Sequence, residues 1–290
     1  MKIAVTGKNG QIVRSLLARK SDFIDIVPVG RPELDLAFPN TVRSSLLALK
    51  PDFIVSSAAY TAVDDAEINK EYAYTVNAVG AGAVSEVAAE MGIPIIHLST
   101  DYVFDGLKNG EYNEGDIANP LNVYGASKLS GEFLVSENNE KHIIIRTAWV
   151  YSPYGKNFVK TILSLCEKKT SIEVVSDQIG NPTSAIDIAE AIIHIIMHIH
   201  HHDFDDWGIY NVVGTGYSSR SDFARYIIGR RREYNNSSTD VIDVNTFVPA
   251  GGVHRPLNSR LSTKKVKEIF HLEMPCWKLS LNDTIKMLFE

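Results

Sequence analysis

Short apolar runs at residues 3–6, 26–29, 53–57, 95–99 and 143–146 recur through the first half of the chain, each followed by a longer segment of helical period. Runs of that length suit strands, and a regular strand-then-helix beat leaves few solutions other than βαβ units around a parallel sheet. The intervening segments 11–19, 41–49, 71–91 and 127–137 carry apolar residues at helical spacing. Such helices would cover both faces of the sheet, so the predicted class is α/β with a Rossmann-like, doubly wound parallel sheet. After Val150 the beat loosens into strand-like 172–175 and 209–213, a helix over 185–197 and another from Ser221 onward. We read this as a smaller C-terminal α/β lobe, with residues 1–149 as the NAD(P)-binding unit and 150–290 as mainly substrate-binding, part of which can return to the first sheet. The polar stretch 231–240, RREYNNSSTD, reads as a mobile surface loop.

The bulk properties exclude several function classes. A formal charge of -6 leaves no broad basic surface, so nucleic-acid binding by phosphate neutralisation has no support. No apolar run approaches the length of a membrane span. Cys166 and Cys276 lie far apart with no zinc-finger or Cys-x-x-Cys spacing, which argues against a disulfide framework or a structural metal. The first apolar run is too short for a signal peptide, and a reducing cytoplasm is the expected setting.

Gly7-Lys8-Asn9-Gly10-Gln11 follows the first strand and opens the first helix, the context in which backbone N–H groups cradle a pyrophosphate. Val13 stands where a third glycine would let the helix pack closely, which predicts a helix set slightly farther from the sheet. The second strand ends Val29-Gly30-Arg31, with no carboxylate before Glu33 and Asp35. An arginine there tolerates a ribose 2'-phosphate, so NADPH is favoured, with NADH still possible.

Tyr124 and Lys128 are four residues apart on a predicted helix and project from one face. The spacing arises about once by chance in such a chain, so it gains weight only with the glycine turn and with Ser99-Thr100-Asp101 at the end of the fourth strand. A nicotinamide reductase must supply a proton to a developing alkoxide. Tyr124 is assigned that proton, with Lys128 expected to lower the phenol pKa and bind the nicotinamide ribose, and Thr100 to orient the phenol or the substrate carbonyl. Asp101 and Tyr102 follow on the same rim, where they can hold sugar hydroxyls. Arg255, Arg260 and Lys156 are candidate partners for a substrate pyrophosphate, and Trp149 for a flat or apolar ligand face.

The motifs GKNGQ, AAYTAVDDAE, STDYVFDG, PLNVYGASKLSGE, RTAWVY, NFVKT, DQIGNPT and RPLNSRL, in this order, span nearly the whole length. By them the chain resembles the extended, nucleotide-sugar-modifying short-chain dehydrogenases/reductases, and within these the dTDP-4-dehydrorhamnose reductase family. The resemblance implies reduction of the 4-keto group of dTDP-4-dehydro-L-rhamnose to dTDP-L-rhamnose, a precursor of surface polysaccharide. It implies that Gly10, Gln11 and Ile12 touch the cofactor phosphates, that Asp35 and Leu36 line the adenine, and that Ala59, Tyr60 and Thr61 pass beneath the nicotinamide half. Thr100, Tyr124 and Lys128 match the catalytic trio, Asp101 and Trp149 match substrate contacts, and Val63 and Tyr102 lie close by. Ser15 occupies a position where some relatives carry a metal-binding glutamate at a subunit interface, which predicts a monomer or weak homodimer and no metal. Another nucleotide-sugar reductase or epimerase, or a non-catalytic NADP-binding regulatory subunit, remains the alternative. The run His194, His198, His200, His201 and His202 is explained by a helix end entering a solvated loop.

Overall fold

In a computed structural model, residues 1–234 and 239–290 are described. Part of the polar stretch 231–240 therefore lies outside the described residues. Its first residue, Arg231, is buried and donates to the Cys166 carbonyl.

The first half follows the strand-helix beat. β1 (Lys2–Thr6), α1 (Gln11–Leu17), β2 (Asp25–Val29), α2 (Pro39–Leu49) and β3 (Phe53–Ser56) lead into two short helices, α3 (Val63–Ala66) and α4 (Lys70–Tyr74). A π-helical turn over Thr75–Gly80 joins α4 to α5 (Ala81–Glu90), and β4 (Ile95–Thr100), α6 (Val123–Asn138) and β5 (His142–Thr147) complete the half. The single helix expected over 71–91 is thus three segments. Apolar spacing cannot reveal a π turn, because it inserts one residue without changing composition.

The second half opens with β6 (Val150–Tyr151), α7 (Phe158–Cys166), β7 (Ser171–Val175), β8 (Ile179–Gly180), β9 (Thr183–Ser184) and α8 (Ala185–His201). It continues with β10 (Gly208–Asn211), β11 (Ser218–Ser219), α9 (Arg220–Arg231), β12 (Asp240–Val244), β13 (Asn258–Ser259), α10 (Lys264–Phe270) and α11 (Trp277–Phe289).

Six parallel strands form the main sheet in the order β10-β5-β4-β3-β1-β2. Alternation along each strand splits the apolar side chains between two buried faces. Ile3, Val5, Ile96, Ile143 and Ile145 point to one face, where α1, α8 and α10 contribute Leu16, Ile192, Ile195 and Phe270. Ala4, Ile54, Ile95 and Ile144 point to the other, against Leu46 of α2, Val84 and Val87 of α5 and Val135 of α6. The chain therefore crosses back after Val150: α8 packs on α1, and β10 extends the sheet beside β5. Tyr151, Ile162, Ile172, Phe223, Trp277 and Leu281 centre a separate core, that of the smaller lobe.

The strand order reverses between β2 and β3 around β1, which opens a crevice at the carboxyl ends of β1 and β3. Thr6 ties those ends together. Its Oγ1 accepts from the Ser57 and Ala58 N–H groups at 3.0 Å each, and its carbonyl accepts from Ser57 Oγ at 2.8 Å.

Candidate active site

A cavity of about 1060 Å³ opens at this crevice, and a recess of about 400 Å³ adjoins it toward the end of β2. Gly7 turns the chain out of β1 with φ 98°, a conformation that favours glycine, and its N–H bonds the Val29 carbonyl at 2.7 Å. Gly10 caps α1 with no side-chain acceptor, so the first N–H groups of the helix are left for a ligand. Val13 is buried, and a Cβ on Gly7 would meet its Cγ2 at 3.5 Å, so the valine fills the space beside the turn. Ser15 is also buried, its hydroxyl donating to the Gln11 carbonyl at 2.9 Å.

Gly10, Gln11, Ile12, Thr61, Tyr124 and Lys128 line the cavity; Asp35, Leu36 and Tyr60 line the recess; Gly7, Arg31 and Ala59 line both. Every position expected at a dinucleotide thus faces one continuous trough. The Gln11 side chain is already engaged, since Oε1 accepts from Ser152 Oγ at 2.8 Å and Asn157 Nδ2 at 3.0 Å. Its backbone N–H, at the uncapped start of α1, remains free to face the trough. Tyr60 is held by Asn77 of the π turn, whose amide accepts from the Tyr60 N–H at 2.7 Å and donates to the Tyr60 carbonyl at 3.0 Å. The same Nδ2 donates to Ser127 Oγ at 2.9 Å, linking this loop to α6.

Asn122 caps α6 through Gly125 N–H at 2.8 Å, and Glu67 accepts from the Val123 N–H at 2.7 Å. Gly125 permits a close approach to the turn after β4: a Cβ there would stand 2.1 Å from the Tyr102 carbonyl oxygen. That approach sets Tyr124 beside Thr100 and places its ring edge-on to Tyr102 with centroids 5.6 Å apart. Thr100 Oγ1 in turn donates to Asp101 Oδ1 at 3.1 Å.

Lys128 is 2% exposed and donates to the Leu98 carbonyl at 2.6 Å, with Nζ 3.0 Å from His97 Nε2. Burial pulls the ammonium down to about 8, against the pull of Glu132 upward. Burial pushes the Tyr124 phenol far above its ordinary range against the downward pull of Thr100, and the neighbouring Asp101 adds to the rise. The expectation that Lys128 lowers the phenol pKa is therefore corrected. The ammonium is turned toward β4 rather than the phenol, and desolvation dominates.

Beneath these groups, Arg146 grips Glu132 through Nε–Oε1 at 2.9 Å and Nη2–Oε2 at 2.6 Å, with both side chains 4% exposed. Ser99 Oγ donates to the same carboxylate at 2.5 Å.

On the substrate side, Val63, Thr100, Asp101, Tyr102, Trp149 and Arg255 all line the cavity. Asp101 is 3% exposed and raised to about 6 by burial. Its Oδ2 makes no hydrogen bond of good geometry among the described residues, with Ser259 standing beside it. Arg255 pairs with Asp64 at 2.6 Å and stands beside the Tyr102 phenol. Lys156 reaches the cavity wall. Arg260 is not on that wall: its guanidinium lies over Tyr217 and its Nε bonds Asn258 Oδ1 at 2.8 Å.

Arg220 was not anticipated from sequence. Its guanidinium stacks 3.5 Å over Trp149 and 5.2 Å from the Phe158 ring, beside Asp101, Tyr102 and Arg255. Burial lowers it to about 10. It covers one face of Trp149, so the indole offers a ligand only what remains. The available signal was position: Ser219 caps α9, bonding the Asp222 N–H at 3.0 Å, and Arg220 is a cation at the helix start, where the dipole disfavours it. Thr147 and Gln178 also line the cavity, and Thr147 Oγ1 is buried without a partner among the described residues.

The histidine run ends α8 as expected from its spacing. His194 Nε2 lies 2.8 Å from the Phe270 carbonyl, and the His198 and His202 rings meet at a tilt of 30° with centroids 4.6 Å apart. Among the described residues, no group of three His, Cys, Asp or Glu is placed to hold a metal, and no helix is long and apolar enough to cross a membrane.

A family model, the RmlD substrate binding domain, matches residues 1–289. A dTDP-4-dehydrorhamnose reductase of Sinorhizobium fredii is 45% identical over 97% of this chain and 95% of its own length. Among solved structures, a dTDP-4-dehydrorhamnose reductase of Clostridium acetobutylicum superposes with TM-score 0.91 at 33% identity, covering 99% of both chains. A Bacillus anthracis dTDP-4-dehydrorhamnose reductase in complex with NADP gives TM-score 0.89 at 35% identity, again over 99% of both chains.

Proposed function

The chain belongs to the RmlD family of dTDP-4-dehydrorhamnose reductases, and on that premise we propose that it reduces the 4-keto group of dTDP-4-dehydro-L-rhamnose with NADPH. The observation that carries this reading is the convergence of Thr100, Tyr124 and Lys128 on one cavity at the switch point of the sheet.

The trough suits the cofactor. The glycine turn and the uncapped start of α1 offer backbone N–H groups to the phosphates, and the recess between Leu36 and Tyr60 takes the adenine. Arg31 stands at the end of β2 for the 2'-phosphate. Lys128 uses two of its three N–H bonds on Leu98 and His97, leaving one for a ribose hydroxyl. When bound, the dihydronicotinamide supplies the hydride to C4 of the sugar.

Tyr124 then donates its proton to the O4 alkoxide. The phenol is protonated at working pH, the form a reductase needs at the start of the transfer. Thr100 stands beside the phenol, and its hydroxyl turns from Asp101 to donate to the carbonyl oxygen when the sugar is bound. The orphan oxygen of Asp101 accepts from a sugar hydroxyl, and Tyr102 and Val63 wall the ring. Arg220, Arg255 and Lys156 offer the positive charge that a substrate pyrophosphate needs. The dinucleotide thus lies along the first 149 residues and the nucleotide sugar against the later lobe, in a cytoplasmic monomer or weak homodimer. NADH is the weaker donor.

The test is to generate the 4-keto sugar nucleotide in situ and follow NADPH absorbance. Stoichiometric oxidation with appearance of dTDP-L-rhamnose is expected. No oxidation by folded, NADPH-binding protein would refute the reading.

A further inference from the structure

His97 sits in the middle of β4, fully buried, between Ser56 of β3 and the Lys128 ammonium of α6. An ammonium carries no lone pair, so the imidazole must accept at Nε2, 3.0 Å from Nζ. The imidazole proton is then on Nδ1, which donates to Ser56 Oγ at 3.2 Å. Both neighbours thereby fix the tautomer.

We propose that His97 is a positioning residue for the reduction: with the Leu98 carbonyl it fixes two N–H bonds of Lys128 and so points the third at the cofactor ribose. This rests on the assignment of Lys128 given above. A lone carbonyl acceptor would leave the ammonium free to swing about one bond. Two acceptors on adjacent residues of a central strand define its position and sustain its charge in a desolvated site.

The ionisable groups near Lys128 come from several elements. Glu132 lies one turn along α6 and is held by Arg146 of β5; Tyr124 precedes it on α6; Asp101 and Tyr102 follow β4; Glu67 meets the start of α6. From the π turn comes only the neutral amide of Asn77. Burial and the adjacent ammonium hold His97 well below its ordinary range, so it accepts in neutral form across the working pH.

The experiment compares wild type, His97→Leu, His97→Gln and Lys128→Met in two readouts: NADPH affinity by nicotinamide fluorescence without sugar, and kcat against pH. His97→Leu should weaken NADPH about tenfold and move the alkaline limb of kcat down by about one pH unit, because an ammonium short of an acceptor loses its proton more readily. His97→Gln, whose side-chain oxygen reaches toward the Nε2 position, should keep both within about threefold of wild type. The proposal is overturned if His97→Leu retains wild-type affinity and limb while Lys128→Met loses affinity, or if the Leu and Gln variants fail equally. Unchanged affinity in Lys128→Met would instead refute the assignment of Lys128. Should the leucine variant not fold, the imidazole 15N spectrum of the wild type decides. A neutral ring protonated at Nδ1 from about pH 5 to pH 9 supports the proposal, and a charged or Nε2-protonated ring overturns it.

Discussion

Arg146→Met removes one half of a buried ion pair and leaves Glu132 facing a desolvated pocket. Two charge-assisted bonds to Arg146 are lost, and the bond from Ser99 remains. With both side chains 4% exposed, solvent cannot take over, so the loss should fall in the range of about 3–5 kcal/mol for an orphaned buried charge. In a chain of this size that corresponds to about 6–10 °C in unfolding midpoint. The double variant Glu132→Leu/Arg146→Met removes both members of the pair and should recover at least about 2 kcal/mol of that loss, with Lys128 keeping its bonds to Leu98 and His97. Urea denaturation followed by far-ultraviolet circular dichroism gives both values, with an unchanged m-value as the check on two-state behaviour. A cost below about 1 kcal/mol for Arg146→Met, or a double variant no more stable than the single, would refute the reasoning.

Tyr124→Phe should leave NADPH affinity nearly intact and lower kcat by about a hundredfold or more, since only the proton donor is removed; fluorescence titration and steady-state kinetics check both halves. Asp101 carries a folded pKa of about 6 against 3.8, so the folded protein binds the extra proton and stability falls as pH rises through that window. Asp101→Asn should therefore stabilise the protein at pH 7 by up to ~3 kcal/mol, lose that gain near pH 4, and raise KM for the sugar; thermal melts at the two pH values and substrate titrations test this. Arg31→Glu should lower kcat/KM for NADPH about tenfold or more while sparing NADH, and an equal loss with both cofactors would remove Arg31 from the 2'-phosphate.

What could be read from the chain itself was whatever depends on neighbours in sequence. The strand-to-helix turn at Gly7, the pair Tyr124 and Lys128 on one helix face, and Thr100 at a strand end all follow from local spacing and strand direction. The direction of a charged side chain does not. Lys128 faces His97 and Leu98 because β4 passes beneath α6, a tertiary fact that no periodicity carries. Arg220 reaches the cavity from the smaller lobe, far along the chain from the groups it meets, and Arg260 in a seemingly equivalent motif turns away to Tyr217. β10 reads as an ordinary strand, and only the packing of α8 on α1 decides that it returns to the main sheet.

The π turn at Thr75–Gly80 fixes how this region can vary. One surplus residue rephases everything after it by about 100°, and Asn77 within the turn is buried, reaching both the Tyr60 peptide and Ser127. Loss of a single residue inside the turn would swing the Asn77 amide off the Tyr60 peptide and off Ser127, loosening the wall of the recess from α6, so the turn itself cannot be shortened.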